Sequence, residues 1–304
     1  MFVKRIFSCL YLILASMPLY AEDKPEVNID ITAGLEFGYN DQVIIEELDL
    51  QSSIGDQFTR YRLKGELQYS LDDNQELTFS LGLTNRRYHE ASSFDLQTVL
   101  STIGYSYDFG DLKLGIDIRS ASSELGGNDF LTLDHFAPYF TYFIKREHFV
   151  RGSYTAADKV LDNNPIRNSE SDEYALDYYY FINGLNRYII LSGKWRDQNA
   201  QDYVFNFISE QYRIAYHQRF NIFDETLKMS ISYRYRERDY NSVINPLIGG
   251  NRIEEQGIVD VEISWEIIED FELYAELRSQ DNASNLPNYS FTNNRYGMGL
   301  VYKF

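Results

Sequence analysis

Cysteine is nearly absent from this 304-residue chain, and the single one, Cys9, lies in an apolar N-terminal stretch. We predict that this stretch is removed, so that the mature chain holds no thiol. Disulfide frameworks, thiolate metal sites and cysteine nucleophiles are thereby excluded. The chain also lacks a proline- or serine-rich linker and any break in composition, which predicts a single domain over residues 22–304.

Basic residues are scarce relative to acidic ones. The chain has 28 Lys and Arg against 46 Asp and Glu, and its formal net charge of −18 becomes about −20 without Lys4 and Arg5. A chain this acidic lacks the positive surface that the phosphate backbone of a nucleic acid requires. We therefore predict no nucleic-acid partner.

Long apolar runs are also missing after the N-terminus. The mean hydropathy is −0.41, and no later stretch is apolar enough for a spanning helix. Apolar and polar residues alternate instead. In residues 61–71 the odd positions are apolar or glycine, whereas the even positions include Arg62, Lys64 and Glu66. A period of two is the geometry of a β-strand with one apolar and one polar face.

The C-terminal segment shows the same alternation and ends on an aromatic residue. Its apolar parity consists of Tyr296, Met298, Leu300, Tyr302 and Phe304. This ending resembles the closing strand of bacterial outer-membrane β-barrels, which the barrel-assembly machinery recognises. The resemblance implies that these five residues form the assembly signal. It also implies three partners: that machinery, outer-membrane lipid and lipopolysaccharide.

These patterns predict an all-β fold, a transmembrane antiparallel up-and-down barrel of about 14 strands. The 26 Tyr and 20 Phe suit strands that cross two membrane interfaces. Alternation is poor in residues 133–144, 148–156 and 188–196, which leaves the count open by two. The predicted strands are 27–39, 58–71, 76–87, 96–109, 112–120, 133–144, 148–156, 173–182, 188–196, 203–220, 227–238, 255–267, 271–280 and 295–304.

The connections between these strands fall into two classes. Short turns rich in Asp, Asn and Gly alternate with longer stretches at 40–57, 120–130, 158–172, 240–252 and 281–293. Short periplasmic turns and longer extracellular loops are the rule for such barrels. No insertion is long enough to form an obvious plug. Residues 40–57 and 158–172 are the two candidates for a loop that folds inward.

The N-terminus has the features of a secretory signal. Lys4 and Arg5 precede an apolar run over residues 10–19, and Ala21 is a small residue at a suitable cleavage site. The run is too short to span a bilayer. We predict a signal peptide over residues 1–21, export through the general secretory route, and localisation in the outer membrane of a Gram-negative bacterium.

The polar parity of the strands is predicted to line the barrel lumen with charges of both signs. One interpretation is a porin-like channel whose charged walls select small polar or charged solutes. The other is a set of cross-strand ion pairs that stiffen a hollow barrel. The lumen-lining candidates are Arg60, Arg62, Lys64, Glu66, Arg119, Arg213, Arg234, Arg236, Arg238, Asp260, Glu262, Glu266, Glu276, Arg278 and Arg295.

Arginines are concentrated near the predicted outer mouth. Arg234, Arg236 and Arg238 follow one another on the polar parity of a single strand, and they would attract anionic solutes. The acidic run Glu46-Glu47-Leu48-Asp49 lies in a long connection. We interpret it as a solvated face rather than as a metal site.

Catalytic chemistry finds little support in the sequence. Of the four histidines, only His217 has the position of a side chain inside the barrel, and Ser232 on the neighbouring strand shares its inward parity. A Ser–His pair there would point into the lumen rather than at lipid. We therefore predict that the protein is not an enzyme and that it has no catalytic, metal-binding or cofactor-binding residues.

The final hairpin carries a more specific resemblance. Residues 284–289 read Ser-Asn-Leu-Pro-Asn-Tyr, and Asn294-Arg295 precede the aromatic terminus. This segment is similar to the barrel domain of surface lipoprotein assembly modifiers. Those proteins usually have an N-terminal helical-repeat domain, whereas strand pattern here begins close to the predicted cleavage site. The resemblance implies an alternative function, a conduit for export or assembly of polysaccharide or lipoprotein with a periplasmic partner protein.

Overall fold

A computed structural model describes residues 26–52, 54–222, 225–245 and 247–304 of the chain. The predicted signal peptide lies outside these residues. No helix within the described ranges is long and apolar enough to cross a membrane.

Fourteen antiparallel strands of the described residues form one closed barrel. A small hairpin of β2 (Ile44–Ile45) and β3 (Leu50–Gln51) lies between the first two barrel strands. The barrel strands are β1 (Val27–Asn40), β4 (Asp56–Asp72), β5 (Gln75–Tyr88), β6 (Leu96–Asp108), β7 (Leu112–Leu125), β8 (Asn128–Lys145), β9 (His148–Leu161), β10 (Ser169–Phe181), β11 (Arg187–Ala200), β12 (Phe207–Ile222), β13 (Glu225–Asn245), β14 (Gly250–Ile268), β15 (Phe271–Ser284) and β16 (Phe291–Lys303). Short 3₁₀ turns occur at Glu46–Leu48, Ser92–Phe94, Pro165–Arg167, Tyr203–Phe205 and Pro287–Tyr289.

The barrel closes between its first and last strands. β1 pairs with β4 on one side and with β16 on the other, so that Leu35 lies opposite both Tyr61 and Leu300. Every other barrel strand pairs with its neighbours in sequence. Closure leaves no sheet edge with unpaired backbone groups, which is what a lipid environment requires of a β-structure. The predicted up-and-down barrel and its strand number are confirmed.

The strand boundaries differ from the prediction at the end of the barrel that carries the longer connections. Residues 120–130 are not a loop, because β7 and β8 continue to a two-residue turn at Gly126 and Gly127, both with positive φ. Residues 240–252 likewise belong mostly to β13 and β14. Conversely, Tyr203–Phe205 is a 3₁₀ turn rather than the start of a strand. Apolar alternation marks only the part of a strand that faces lipid, whereas backbone pairing continues beyond it.

The two faces of the barrel wall have opposite polarity. Large apolar side chains are exposed on one parity, as Leu81 and Met298 illustrate, with Met298 66% exposed. On the other parity Glu36 is completely buried. A soluble protein distributes these residues the other way round, whereas a barrel in lipid exposes its apolar face.

Glycines at the closing seam make room for large side chains. A Cβ at Gly297 would lie 2.8 Å from Oε1 of Glu36. A Cβ at Gly299 would lie 2.5 Å from the carbonyl oxygen of Leu35 and 2.6 Å from the ring of Tyr274. All three distances are too short for a real Cβ atom. The glycines of β16 thus allow Glu36 and Tyr274 to sit against the wall at the seam.

Candidate pore and the loop across its mouth

The connection between β1 and β4 folds into a compact structure, which we call L1 and define as residues 41–52. The backbone N–H of Ser52 donates to the carbonyl oxygen of Val43 at 2.8 Å, and the hydroxyl of Ser52 accepts from the N–H of Val43 at 2.9 Å. At the tip a 3₁₀ turn over Glu46–Leu48 is followed by Asp49 in the left-handed region, with φ 53°. L1 therefore has its own hairpin hydrogen bonds.

Two apolar anchors fix L1 to different parts of the barrel wall. Val43, which is 1% exposed, packs in one buried cluster with Phe58 of β4 and Tyr88 of β5. Ile45 packs in a second cluster with Phe130 of β8 and Leu161 of β9. Full burial of such a side chain contributes roughly 2 kcal/mol. Since β6 and β7 separate the two sets of strands, L1 extends across this end of the barrel.

The carboxylate of Glu46 is held by three neighbouring strands on another part of the wall. Oε2 accepts from Nη2 of Arg236 on β13 at 2.7 Å and from Nη2 of Arg238 at 3.4 Å. Oε1 accepts from Nε2 of Gln280 on β15 at 2.8 Å and of Gln256 on β14 at 3.2 Å. A carboxylate with this many charged and neutral donors is fixed in position.

Asp49 forms a second clamp beside the first. Its carboxylate accepts from Nη2 of Arg167 at 2.6 Å and from Nη2 of Arg252 at 3.0 Å. Arg167 also donates to the carbonyl oxygen of Glu47 at 2.8 Å. The Arg252 guanidinium lies 3.4 Å from the centre of the Tyr289 ring, a cation–π contact. Together the clamps and the apolar anchors attach L1 to separate parts of the wall around the mouth.

The charges around Glu46 change its acidity. Burial raises the pKa of the carboxyl, but the positive charges of Arg236 and Arg238 and hydrogen bonds from Arg236 and Gln280 outweigh it. The net result is a fall from the ordinary 4.5 to about 2. Because the pKa in the folded protein is below the ordinary value, the clamp contributes fully above pH 4.5. Its contribution is lost as the pH falls towards 2.

We expect the position of L1 to be constant between pH 7 and about 5, and to loosen only below pH 4.5. The measurement is single-channel conductance of the purified protein from pH 7 to about pH 2, compared with that of Glu46→Gln. The conductance of the wild type should approach that of the variant at the acid end. If the two differ by the same factor at every pH, the carboxylate does not carry the clamp.

L1 leaves a cavity of about 310 Å³ between itself and the wall formed by β7 to β13. This volume suits a small solute rather than a polymer. Leu131, Leu133 and Phe207 supply apolar wall, and charged groups of both signs supply most of the rest. The basic groups are Arg119, Lys159, Arg167, Lys194, Arg196 and Arg238, and the acidic groups are Glu46, Glu47, Asp49 and Glu173.

A polar cluster spans the barrel seam. The buried Glu36 pairs with Arg60, accepts from the Tyr274 hydroxyl at 2.6 Å, and lies 3.6 Å from Arg62. Glu276 of β15 accepts from Arg60 at 3.3 Å and pairs with Arg295 at 2.8 Å. Since β1 and β16 separate β4 from β15, the Arg60–Glu276 contact crosses two strands. It fixes β4 relative to β15 across the seam.

No protein-family model matches the chain, and no characterised protein sequence matches it. Solved structures do match. A loop L8 deletion mutant of OmpT, an outer-membrane protein of Vibrio cholerae, superposes with a TM-score of 0.56 at 9% identity, covering 93% of this chain and 100% of that one. The anion-selective porin from Comamonas acidovorans gives 0.54 at 9% identity, covering 92% and 100%. The chain has the fold of outer-membrane porins.

The porin fold brings most of the sequence-predicted lumen residues into ion pairs on the face opposite the exposed apolar side chains. Their role in a permeation path stays a prediction. Besides the seam cluster, the pairs are Lys64–Glu66 at 2.7 Å, Arg119–Asp117 at 2.6 Å, Arg278–Asp260 at 2.5 Å, Glu266–Lys228 at 2.5 Å, Arg236–Glu46 at 2.7 Å and Arg238–Glu46 at 3.4 Å. Among the described residues, Arg213, Arg234 and Glu262 have no oppositely charged group within 4.0 Å.

Two expectations about the mouth of this porin fold are corrected. Glu46 and Asp49 are not part of a solvated face, because both are clamped by arginines; only Glu47 of the run is exposed. For the same reason Arg236 and Arg238 are not free to attract solutes. The sequence does contain a feature that indicates burial of L1. Val43-Ile44-Ile45 is an apolar triplet inside a polar connection, and such a triplet favours burial of the loop.

Several residues of the mouth and of the seam were missed by sequence reasoning. Arg167, Lys159 and Arg252 fall in or next to stretches that were interpreted as external loops, and Glu36 was not among the lumen candidates although it shares their parity. Some of these residues have partners that lie far away in sequence. Arg252, for example, bonds Asp49, 203 positions away. Sequence periodicity contains no information on such contacts.

The Ser–His pair considered from the sequence does not form in the described residues. The ring of His217 stacks on that of Tyr188 with centres 4.6 Å apart, and its Nε2 has no hydrogen-bond partner. In the strand register His217 lies opposite Ser230, whereas Ser232 lies opposite Ala215. The two residues are therefore not placed as nucleophile and base.

Proposed function

We propose that this protein is a channel of the bacterial outer membrane that passes small polar or charged solutes and has no catalytic activity. The observation that carries the proposal is L1, which narrows the mouth of a closed barrel while a cavity of about 310 Å³ remains beside it. A 14-stranded barrel is wider than the 8-stranded kind that side chains fill. Its interior is therefore expected to hold water.

The charges of the interior support selection among small solutes. Most arginines of the polar parity are paired with carboxylates, which stiffens the wall and lowers its net field. Ion pairs and hydrogen-bonding groups nevertheless keep the path polar, which favours hydrated or charged solutes over apolar ones.

The pinned loop favours this function over the alternative of an export conduit. A polysaccharide or a lipoprotein would require L1 to leave the mouth. That movement would break the Glu46 and Asp49 clamps and would expose Val43 and Ile45, both of which are buried. A solute that fits the cavity needs no such change. The involvement of a periplasmic partner protein depends on the export alternative.

The direct test is electrical recording from purified protein in planar lipid bilayers. We expect discrete single-channel steps whose size increases with the KCl concentration. The folded state of each sample is checked by its heat-modifiable migration in gels. If the folded barrel inserts but gives no steps, the channel proposal fails and a purely structural or adhesive barrel takes its place.

A further inference from the structure

Two arginines inside the barrel face each other without a counter-ion. Arg213 on β12 and Arg234 on β13 are directly opposite in the strand register. Among the described residues no carboxylate lies within 4.0 Å of either guanidinium. The Nε atom of each is buried and has no hydrogen-bond partner.

This arrangement is unfavourable as it stands. Like charges directly opposite each other on neighbouring strands repel, and a buried N–H group without an acceptor costs free energy. The nearby carboxylate of Asp260 does not resolve the problem, since it already accepts from Nε of Arg278 at 2.5 Å. Arg60 and Arg295 also have a buried Nε without a hydrogen-bond partner, but each of them is paired with a carboxylate. The Arg213–Arg234 pair thus lacks the carboxylate partner that these other arginines have.

The position of the pair links it to the pore. Arg234 lies two residues along β13 from Arg236, which holds Glu46 of L1. Two strand residues correspond to about 7 Å on the same face of the sheet. The pair therefore lies two strand residues from the contact between Arg236 and Glu46. A solute that passes L1 next meets two unpaired positive charges.

We propose that Arg213 and Arg234 form a binding site for a small oxyanion, a carboxylate or a phosphate, and that this site sets the charge selectivity of the channel. The proposal rests on the channel function proposed above. Each guanidinium presents parallel N–H donors that match the paired oxygens of an oxyanion, and one such ion accepts from both arginines. Binding satisfies the buried donors and removes the repulsion.

The test is the reversal potential of the channel across a gradient of KCl, with wild type and Arg213→Gln/Arg234→Gln compared. We expect the wild type to prefer the anion. The double variant should show about a tenfold lower ratio of anion to cation permeability, which corresponds to about 1.4 kcal/mol.

A charge-matched control separates this site from the general field of the barrel. Arg151→Gln/Lys303→Gln removes two positive charges as well, and neither residue lines the cavity beside L1. In that variant Asp117 keeps Arg119 at 2.6 Å, and Glu272 keeps Lys228 at 2.9 Å. We expect a small change of selectivity. If the control shifts the reversal potential as much as the Arg213 and Arg234 variant does, the pair is not a site and the inference is overturned.

The nature of the bound ion is tested with three potassium salts. Chloride, acetate and inorganic phosphate are compared for their block of the current at equal ionic strength. In the wild type acetate or phosphate should block more strongly than chloride. Arg213→Lys/Arg234→Lys keeps the charge but loses the paired donors, so it should remain anion-selective and lose the difference between oxyanions and chloride. Equal block by all three salts in the wild type refutes the oxyanion site.

Failure of this inference is distinct from failure of the channel function. Absence of conductance in the folded wild type contradicts the function itself. Normal conductance with selectivity that does not respond to Arg213 and Arg234 contradicts only the binding site. Single variants of each arginine serve as a substitute if the glutamine double variant does not migrate as a folded barrel, and each should lower anion preference in part.

Discussion

Replacement of residues 44–51 by a two-residue Asn-Gly turn is expected to raise the single-channel conductance several-fold. The exchange removes Glu46, Asp49 and Ile45, which reach the wall from the tip of L1. With the tip gone, the mouth is limited by the barrel wall rather than by the loop. Conductance depends on the narrowest cross-section, so this one change should have the largest effect on ion flow.

The structure permits this exchange without disturbing the barrel. The N–H of Ser52 donates to the carbonyl oxygen of Val43 at 2.8 Å, so the ends to be joined are already adjacent. Asn-Gly is suited to a two-residue hairpin connection. Val43 stays in place and continues to pack on Phe58 and Tyr88. The variant should therefore fold.

Point variants provide the matched comparison. Glu46 and Glu47 are neighbours of identical chemistry, but only Glu46 is held by arginines; the Glu47 carboxylate has no basic group within 4.0 Å among the described residues. Glu46→Gln should raise the conductance or its noise, whereas Glu47→Gln should leave both unchanged. An unaltered conductance after replacement of residues 44–51 would mean that the narrowest point lies elsewhere in the barrel.

Deletion of Phe304 is expected to abolish assembly into the outer membrane. The N–H of Phe304 donates to the carbonyl oxygen of Ile31 on β1 at 2.9 Å, and its ring meets that of Tyr302 edge-on with centres 4.4 Å apart. The deletion removes both contacts at the seam where the barrel closes. It also removes the aromatic terminus that, by resemblance, the assembly machinery recognises.

The measurement is heat-modifiable migration of membrane fractions, with the periplasmic fraction analysed in parallel. We expect the truncated chain in the periplasm and no folded species in the membrane. Phe304→Tyr keeps the aromatic ring, and Lys303→Ala changes the neighbouring residue of opposite parity; both should assemble. Normal migration of the truncated protein would contradict the assignment of the five apolar-parity residues from Tyr296 to Phe304 as the assembly signal.

The sequence predicted the lipid-facing parts of the fold well because lipid imposes a simple rule. In residues 61–71 and 227–236 the residues of one parity are apolar or glycine. This period identifies each strand and the face that it turns to lipid. The same rule failed at Gly126-Gly127 and over residues 240–252. There the strands extend beyond the apolar band. Residues that are polar on both faces form the same backbone hydrogen bonds between strands as residues that alternate between apolar and polar.

The candidate site was predicted only in part. Parity placed Arg213, Arg234 and the other basic candidates on one face, but it did not indicate which of them are paired. Glu46 was interpreted as solvated because an acidic run in a long connection usually is. Its actual partners come from β13, β14 and β15, about 190 to 234 positions away in the chain.

The sequence by itself determined the class of fold, the number of strands to within two, and the separation of an apolar from a polar face. These follow from local periodicity, which is repeated in each strand and needs no knowledge of distant residues. The tertiary structure alone decided that L1 crosses the mouth, that Arg236 and Arg238 are neutralised, and that Arg213 and Arg234 are not. The ion pairs of Glu46 and Asp49 join residues far apart in sequence, so they form only when the closed sheet brings these residues within a few ångströms.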